Sequence, residues 1–146
     1  MRLERRVKFC LQAADADEAG RLLAAPQLAL ARLRVFRDLE LEDGVLSGAL
    51  AAPFVLIGEV RFPFRSRFLL GERTAELTPL PLESEAESAA ELAGTAELAG
   101  DRVCYQADVA LQLSLPEGEK WGGRAFRKMA EAAFERTLAR TLNELA

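Results

Sequence analysis

The feature that most constrains the fold is a strand-like stretch near the C-terminus, followed by a long helical stretch. From Val103 to Leu115 every second residue is apolar, and most residues between them are polar. This period of two predicts a strand in a sheet with one buried face. From about Trp121 onward, apolar residues recur every three or four positions, which predicts an amphipathic helix. The apolar stripe of that helix needs a surface, and the buried face of the sheet supplies one.

The N-terminal part predicts one strand and then two short helices. Residues 6–12 alternate as a strand does, and Asp15 or Asp17 can cap a short helix that runs to about Ala25. Pro26 suits the first position of a second short helix that ends near residue 32. Two short helices directly after one strand are an unusual opening for a sheet domain.

Strands dominate the middle of the chain. Asp43 and the glycine after it predict a hairpin turn. A long strand is predicted over residues 58–70, in which Pro63 indicates a bulge or an edge position. Residues 88–99 alternate as a strand, whereas their Ala and Glu content favours a helix over 84–92. We predict the strand and keep the helix as the alternative.

Composition excludes several classes of function. The chain has 146 residues, which predicts a single domain over residues 1–146, and it contains no His. Without His the chain alone cannot build a Ser-His-Asp or Cys-His nucleophile, or a His-based zinc or iron site. We therefore expect no catalytic residue, no metal and no cofactor. The net charge of −4 argues against a nucleic-acid partner.

The sequence predicts a cytoplasmic protein. Its longest uncharged stretch, over residues 45–58, is shorter than the roughly 20 apolar residues that a transmembrane helix needs. The N-terminus lacks the apolar run of a secretory signal. Cys10 and Cys104 both fall in predicted strands, and we expect them to be buried, reduced thiols. Whether the chain forms a homodimer is left open.

The order of the elements resembles the START/Bet v 1-like helix-grip superfamily (SRPBCC). The resemblance covers nearly the whole chain and is densest in the hairpin from Gly94 to Tyr105, and in the strand and helix after it. The chain is similar to an uncharacterised bacterial branch near the polyketide-cyclase-like and CoxG-like proteins. This resemblance implies an α+β fold in which a curved antiparallel sheet of about six or seven strands grips a long C-terminal helix. It also implies a cavity between sheet and helix for hydrophobic or amphipathic ligands.

We predict that apolar side chains from two strands and the last helix line this cavity. The predicted ligand-binding residues are Arg37, Val60, Phe62, Phe64, Phe68, Tyr105, Ala107, Val109, Leu111, Trp121, Phe126, Met129, Ala130 and Phe134. Arg37 would clamp a ligand carboxylate or phosphate, and Trp121 would act as a lid. The same apolar set also fits an ordinary filled core, so both interpretations stay open.

The leading hypothesis is non-enzymatic binding or transport of a hydrophobic small molecule, lipid-like or quinone-like. An alternative is a cyclase/aromatase-type enzyme that transfers protons through Tyr105, Arg37 or Asp108. The other alternative is a protein-interaction module with a filled core, which an exposed edge at residues 54–57 would favour.

Overall fold

The chain folds into one curled antiparallel sheet of seven strands, and a long helix packs against its concave side. This computed structural model describes residues 2–54, 58–83, 87–113 and 123–144, with side chains in the last range for residues 125 and 127–140. The strands are β1 (Arg2–Gln12), β2 (Phe36–Glu42), β3 (Val45–Phe54), β4 (Gly58–Leu70), β5 (Thr74–Leu80), β6 (Ser88–Ala99) and β7 (Arg102–Leu113). The helices are α1 (Ala16–Ala24), α2 (Pro26–Ala29), which a 3₁₀ turn over Leu30–Arg32 continues, and α3 (Gly123–Glu144). The predicted α+β helix-grip fold is confirmed.

The sheet has the order β1-β7-β6-β5-β4-β3-β2, so the first two strands of the chain form its two edges. β1 pairs with β7 along its whole length, from Arg2 opposite Gln112 to Gln12 opposite Arg102. The chain must therefore cross from one edge to the other between β1 and β2. The short helices α1 and α2 make that crossing.

The predicted alternation of side chains is confirmed along the central strands. The alternating side chains of β7 that are buried are Val103, Tyr105, Ala107, Val109 and Leu111. Phe62 and Phe64 of β4 are buried in the same core. Apolar positions of period two thus face the concave side, where their burial stabilises the fold by about 1.5–3 kcal/mol for each large side chain.

Gly94 allows β6 to approach β7 closely. It lies opposite Ala107 with a φ of +152°, which residues other than glycine rarely adopt. A Cβ at this position would stand 2.2 Å from the carbonyl oxygen of Gln106. Because that oxygen belongs to a paired strand and cannot move aside, only glycine fits here.

Ser66 connects β4 directly to β6. Its side chain is buried, and its hydroxyl donates a 2.6 Å hydrogen bond to the carbonyl oxygen of Leu92. Although β5 lies between these strands in the sheet order, its ladder with β6 covers only Thr74–Leu77. Beyond Leu77 the two longer strands come together, which gives the sheet the shape of a half-closed barrel.

The helices follow their sequence signals. Asp15 caps α1, because its side-chain oxygen accepts a 2.8 Å hydrogen bond from the backbone N–H of Glu18. Pro26 occupies the first turn of α2, as predicted. Among the side chains of α3 that the structure describes, the buried ones are Ala130, Ala133, Phe134 and Leu138. Among the helices that the structure describes, none is long and apolar enough to cross a membrane.

Two ambiguous segments of the sequence form regular strands. Residues 88–99 form β6, as predicted, so the alternative helix is wrong for residues 88–92, whereas residues 84–86 lie outside the described ranges. Pro63 lies opposite Ala49, and the pairing of β4 with β5 begins only at Arg65. Because β4 is an interior strand and its register with β3 is continuous at Pro63, the predicted bulge or edge position is wrong; the strand tolerates the proline because its ladder with β5 begins only after it.

The inward orientation predicted for Arg37 is wrong. The alternation of β2 is interrupted by a register shift between Arg37 and Glu40, where Asp38 has a φ of +54°. Phe36 packs against the hydrophobic core, whereas the side chain of Arg37 is 38% exposed. The guanidinium of Arg37 instead donates to the backbone carbonyl of Arg34. An irregular edge strand therefore turns this side chain out of the core.

The prediction of two buried, reduced thiols is also wrong. Cys10 and Cys104 lie directly opposite each other in the β1–β7 ladder, with Cα atoms 4.0 Å apart, and form a disulfide. Both point to the outer face of the sheet, and Cys10 is exposed. Each thiol was correctly placed in a strand, but only the register between the strands makes them partners.

Candidate functional site

An apolar cavity lies on the concave side of the sheet, beneath α3. Its lining residues come from both edges, the central strands, the 3₁₀ turn and α3: Val7, Phe9, Leu30, Leu33, Val35, Phe36, Leu50, Leu77, Leu92, Ala93, Gly94, Tyr105, Gln106, Ala107, Val109 and Leu138. The surface that these residues present to the cavity is almost entirely apolar. Such a lining favours hydrocarbon over water.

The cavity is small for a ligand site. The centre of a water molecule can reach about 30 Å³ of it. Because one water needs roughly 10–15 Å³ on this measure, the cavity has room for about two waters or one small apolar group. Typical pockets for small molecules enclose about 300–1,000 Å³. A larger ligand would enter only if one wall of the cavity moved.

Tyr105 brings a hydroxyl group into the lining of the apolar cavity. Its ring stacks on Phe9, with centroids 5.2 Å apart and planes inclined by 10°. Burial raises the pKa of the Tyr105 phenol well above its ordinary value of 10.0, because the anion would lose its hydration. The hydroxyl therefore stays protonated and can donate or accept a hydrogen bond, but it cannot act as a base.

The structure brings three of the predicted site residues into the cavity lining: Tyr105, Ala107 and Val109. Five others are buried elsewhere in the core, namely Phe62, Phe64, Leu111, Ala130 and Phe134, whereas Val60, Phe68 and Met129 are half-buried. Trp121 and the side chain of Phe126 lie outside the described residues. Most of the predicted residues that the structure describes thus pack in or against the core and do not line the cavity.

Several lining residues were not predicted. Val7 and Phe9 alternate on β1 just as Tyr105 and Ala107 do on β7, so the period of two could have identified them once β1 was placed beside β7. Leu30 and Leu33 follow α2, and no sequence pattern indicates that this turn reaches the concave face. Their contribution depends on the chain crossing between the two sheet edges.

A second, wider recess opens where α3 passes the start of β2. Its lining residues are Arg34, Val35, Arg37, Ala51, Pro53, Glu59, Arg136, Thr137 and Arg140. The centre of a water molecule can reach about 250 Å³ of it. Val35 lines both this recess and the apolar cavity, so the two spaces adjoin. We call this second space the arginine recess, after the four guanidinium groups in its described lining.

The acid/base groups considered for an enzyme do not converge. Asp108 lies on the outer face of β7, where its carboxylate accepts a 2.7 Å hydrogen bond from Arg6, and that guanidinium holds the pKa of Asp108 below its usual value. Arg37 lies in the arginine recess and Tyr105 in the apolar cavity. Among the described residues, no group of three acidic or Cys side chains is placed to hold a metal ion.

Comparison with known proteins identifies the family. A model for a protein family of unknown function, DUF3809, matches residues 8–143. The chain belongs to the DUF3809 family. No functionally curated protein matches it in sequence.

Solved structures share the fold of this DUF3809 protein. The Zhui aromatase/cyclase from a Streptomyces species superposes with a TM-score of 0.54 at 18% identity, over 98% of this chain and 92% of that one. A Thermus thermophilus protein gives a TM-score of 0.52 at 16% identity, over 97% and 95%. A Deinococcus radiodurans protein gives 0.51 at 14% identity, over 90% and 98%. At these identities the likeness shows the fold alone, which is the helix-grip-like arrangement of a curled antiparallel sheet and a C-terminal helix.

Proposed function

We propose that this protein binds a hydrophobic small molecule, lipid-like or quinone-like, between the sheet and α3, and carries or sequesters it without changing it chemically. The observation that carries the proposal is the apolar cavity around Tyr105, Ala107 and Val109. A void with so few polar groups gives water nothing to bond to, so an apolar ligand group gains by entering it. In the helix-grip-like fold of this chain, α3 lies over the concave side of the sheet and covers this space.

The wall that can move at least cost is α3. Of the four side chains of α3 that are buried among its described residues, two are Ala130 and Ala133, which bury little apolar surface. Phe134 and Leu138 are the two large side chains that are buried among its described residues, and Leu138 lines the cavity. The sheet walls, in contrast, are held by continuous backbone ladders. Displacement of α3 would therefore enlarge the cavity without opening the sheet.

The small volume of the cavity favours a second candidate, a protein-interaction module with a filled core. Leu69 and Leu70 at the end of β4 are 54% and 52% exposed and would belong to its contact surface. Of the exposed edge predicted for this role at residues 54–57, Phe54 is buried, and residues 55–57 lie outside the described residues. The cyclase alternative has no comparable support, since its three candidate groups lie apart.

The test is a titration with N-phenyl-1-naphthylamine, a neutral apolar fluorophore. We expect saturable, one-to-one binding with enhanced emission. Ala107→Val adds two methyl groups to the cavity wall and should weaken binding by at least about fivefold, because the added volume competes with the probe. Native mass spectrometry of the protein as purified would show whether an apolar compound is already bound.

The matched control is Ala96→Val. Ala96 is a buried alanine on β6 that does not line the cavity, so the same change costs packing without filling the site. We expect the affinity of this variant to stay within about twofold of the original. The proposal is overturned if the probe does not saturate, or if both variants weaken binding equally. In that case the filled-core candidate stands.

We further propose that the protein works in the cytoplasm, on condition that the Cys10–Cys104 disulfide persists there. Structural disulfides are rare in most cytosolic proteins but are common inside hyperthermophiles. Alkylation of free thiols in intact cells, followed by mass spectrometry, tests this condition. Complete labelling of both cysteines would show that the disulfide is absent in the cell.

A further inference from the structure

The arginine recess gathers positive charge that the surrounding chain only partly neutralises. Among the described lining residues, four guanidinium groups, from Arg34, Arg37, Arg136 and Arg140, lie beside one carboxylate, that of Glu59. Arg34 already has an interaction partner of its own. Glu59 is 3.3 Å from Arg37 and 4.0 Å from Arg61, so its charge is shared between two arginines. Arg136 and Arg140 therefore give the described part of the recess an excess of positive charge.

The two helical arginines are the ones available to a ligand. Arg136 and Arg140 are separated by one helical turn, so both project from the same side of α3. Both are exposed, and neither forms an ion pair with a carboxylate of the described residues. Two like charges at this spacing repel each other, and a bound anion would relieve that repulsion.

The recess and the apolar cavity adjoin. Val35 lines both, while Thr137, which lines the recess, is followed on α3 by Leu138, which lines the cavity. A molecule with an apolar tail among Val35 and Leu138 would thus place its head beside Arg136 and Arg140. The guanidinium fork fits the planar oxygens of a carboxylate or the oxygens of a phosphate.

We infer that the ligand is a single-chain amphiphile with an anionic carboxylate or phosphate head, which the arginine recess holds while the tail enters the apolar cavity. This inference rests on the proposed function and narrows its ligand class. It also assigns a binding role to Arg136 and Arg140, two exposed helical residues outside the predicted site.

The test compares ligands that share a ten-carbon chain and differ only in the head: decanoate, decyl phosphate and decanol. Isothermal titration should show that the two anions bind at least about tenfold more tightly than decanol, and that added salt removes this preference. In R136Q/R140Q the anions should bind only as tightly as decanol, while decanol binding stays unchanged. Inorganic phosphate alone should bind far more weakly than decyl phosphate.

The control variant R127Q/K128Q removes two positive charges from the same helix, away from the recess. We expect it to keep the preference for anions. Equal affinities for decanoate and decanol in the original protein, or a preference that survives in R136Q/R140Q, would overturn the inference while leaving apolar binding intact. If none of the ten-carbon ligands binds, the proposed function fails as well. If inorganic phosphate bound as tightly as decyl phosphate, and this binding required the two arginines, the inference of an amphiphilic ligand would be wrong and the recess would be a site for anions alone.

Discussion

The two edges of the sheet differ in how firmly the chain holds them. At one edge, β1 and β7 pair without interruption over eleven residues, and the Cys10–Cys104 disulfide joins them on the outer face. At the other edge, β2 is seven residues long and its pairing with β3 shifts register between Arg37 and Glu40. The apolar cavity spans the sheet between these edges, but the arginine recess lies only at the irregular one.

The two edges therefore have different roles: one stabilises the sheet, and the other gives access to the concave side. A continuous ladder with a covalent cross-link fixes the position of Tyr105 and its neighbours on β7. A short strand with a bulge leaves side chains such as Arg37 outside the core, where they can meet a ligand. Ligand entry is therefore expected beside β2 and α3, and the β1–β7 edge is expected to stay closed.

The largest expected effect comes from adding a methyl group to one strand glycine in each region, Gly94 on β6 and Gly48 on β3. Gly94→Ala should lower the free energy of unfolding by at least about 3 kcal/mol, because its Cβ would meet a backbone oxygen at 2.2 Å and its φ is positive. Gly48→Ala should cost less, about 1–3 kcal/mol, because the contacting Leu39 side chain and bulged β2 backbone can shift. Urea unfolding measures both.

A control for this pair is Gly20→Ala in α1, where a new Cβ would meet nothing within 4 Å. There the change should stabilise the protein by about 0.5–1 kcal/mol, since Ala favours helix. If Gly48→Ala proved as damaging as Gly94→Ala, the irregular edge would be no more adaptable than the ladder around β7.

The next effect in size concerns the disulfide. The bond closes a loop between residues 94 positions apart, so its loss should lower the free energy of unfolding by about 2–4 kcal/mol. Urea unfolding with and without a reductant measures this. In C10S/C104S the reductant should change nothing. After reduction, the increase in hydrogen exchange should be concentrated in β1. An increase that is spread evenly over the sheet would show that the disulfide does not hold that edge.

The smallest effect is a dependence on acid pH at the β1 side. Arg2 donates a hydrogen bond to Glu91 and holds the pKa of Glu91 below its ordinary value of 4.5. A lowered pKa means that the ion pair stabilises the fold above pH 4.5 and that this contribution is lost as pH falls below it. Because both side chains are largely exposed, the loss should be only a few tenths of a kcal/mol.

Thermal unfolding between pH 7 and pH 3 tests this ion pair. Glu91→Gln should flatten the acid-side decline of the melting temperature slightly. Glu97→Gln, on the same outer face of β6 but without an ion pair to a described residue, should leave the decline unchanged. Parallel curves for all three proteins would show that Arg2 and Glu91 contribute nothing to that edge.

The sequence predicts the parts of the fold that depend on local periodicity. The alternation from Val103 to Leu111 identified both the strand β7 and its buried face, and Asp15 and Pro26 located the starts of the two short helices. Each of these signals arises from neighbouring residues, because side-chain period and capping are properties of a short segment.

What the sequence did not predict depends on contacts between distant segments. The register shift that turns Arg37 outward follows from how β2 lies over Gly48, where an added Cβ would meet the carbonyl oxygen of Arg37 at 2.9 Å. Cys10 and Cys104 are partners only because β1 pairs with β7. Likewise the arginine recess combines α3 with the start of β2, and no local pattern connects Arg136 with Arg37.

The hydrogen bond from Ser66 to Leu92 would also limit how the proposed ligand site adapts to molecules of different sizes. It connects β4 to β6, which are not consecutive strands, so these two strands are not expected to move apart. Adaptation to a longer chain must then come from the opposite side, through the tilt of α3. Binding of ligands of different lengths should accordingly change the position of α3, while Ser66 and β6 keep their positions.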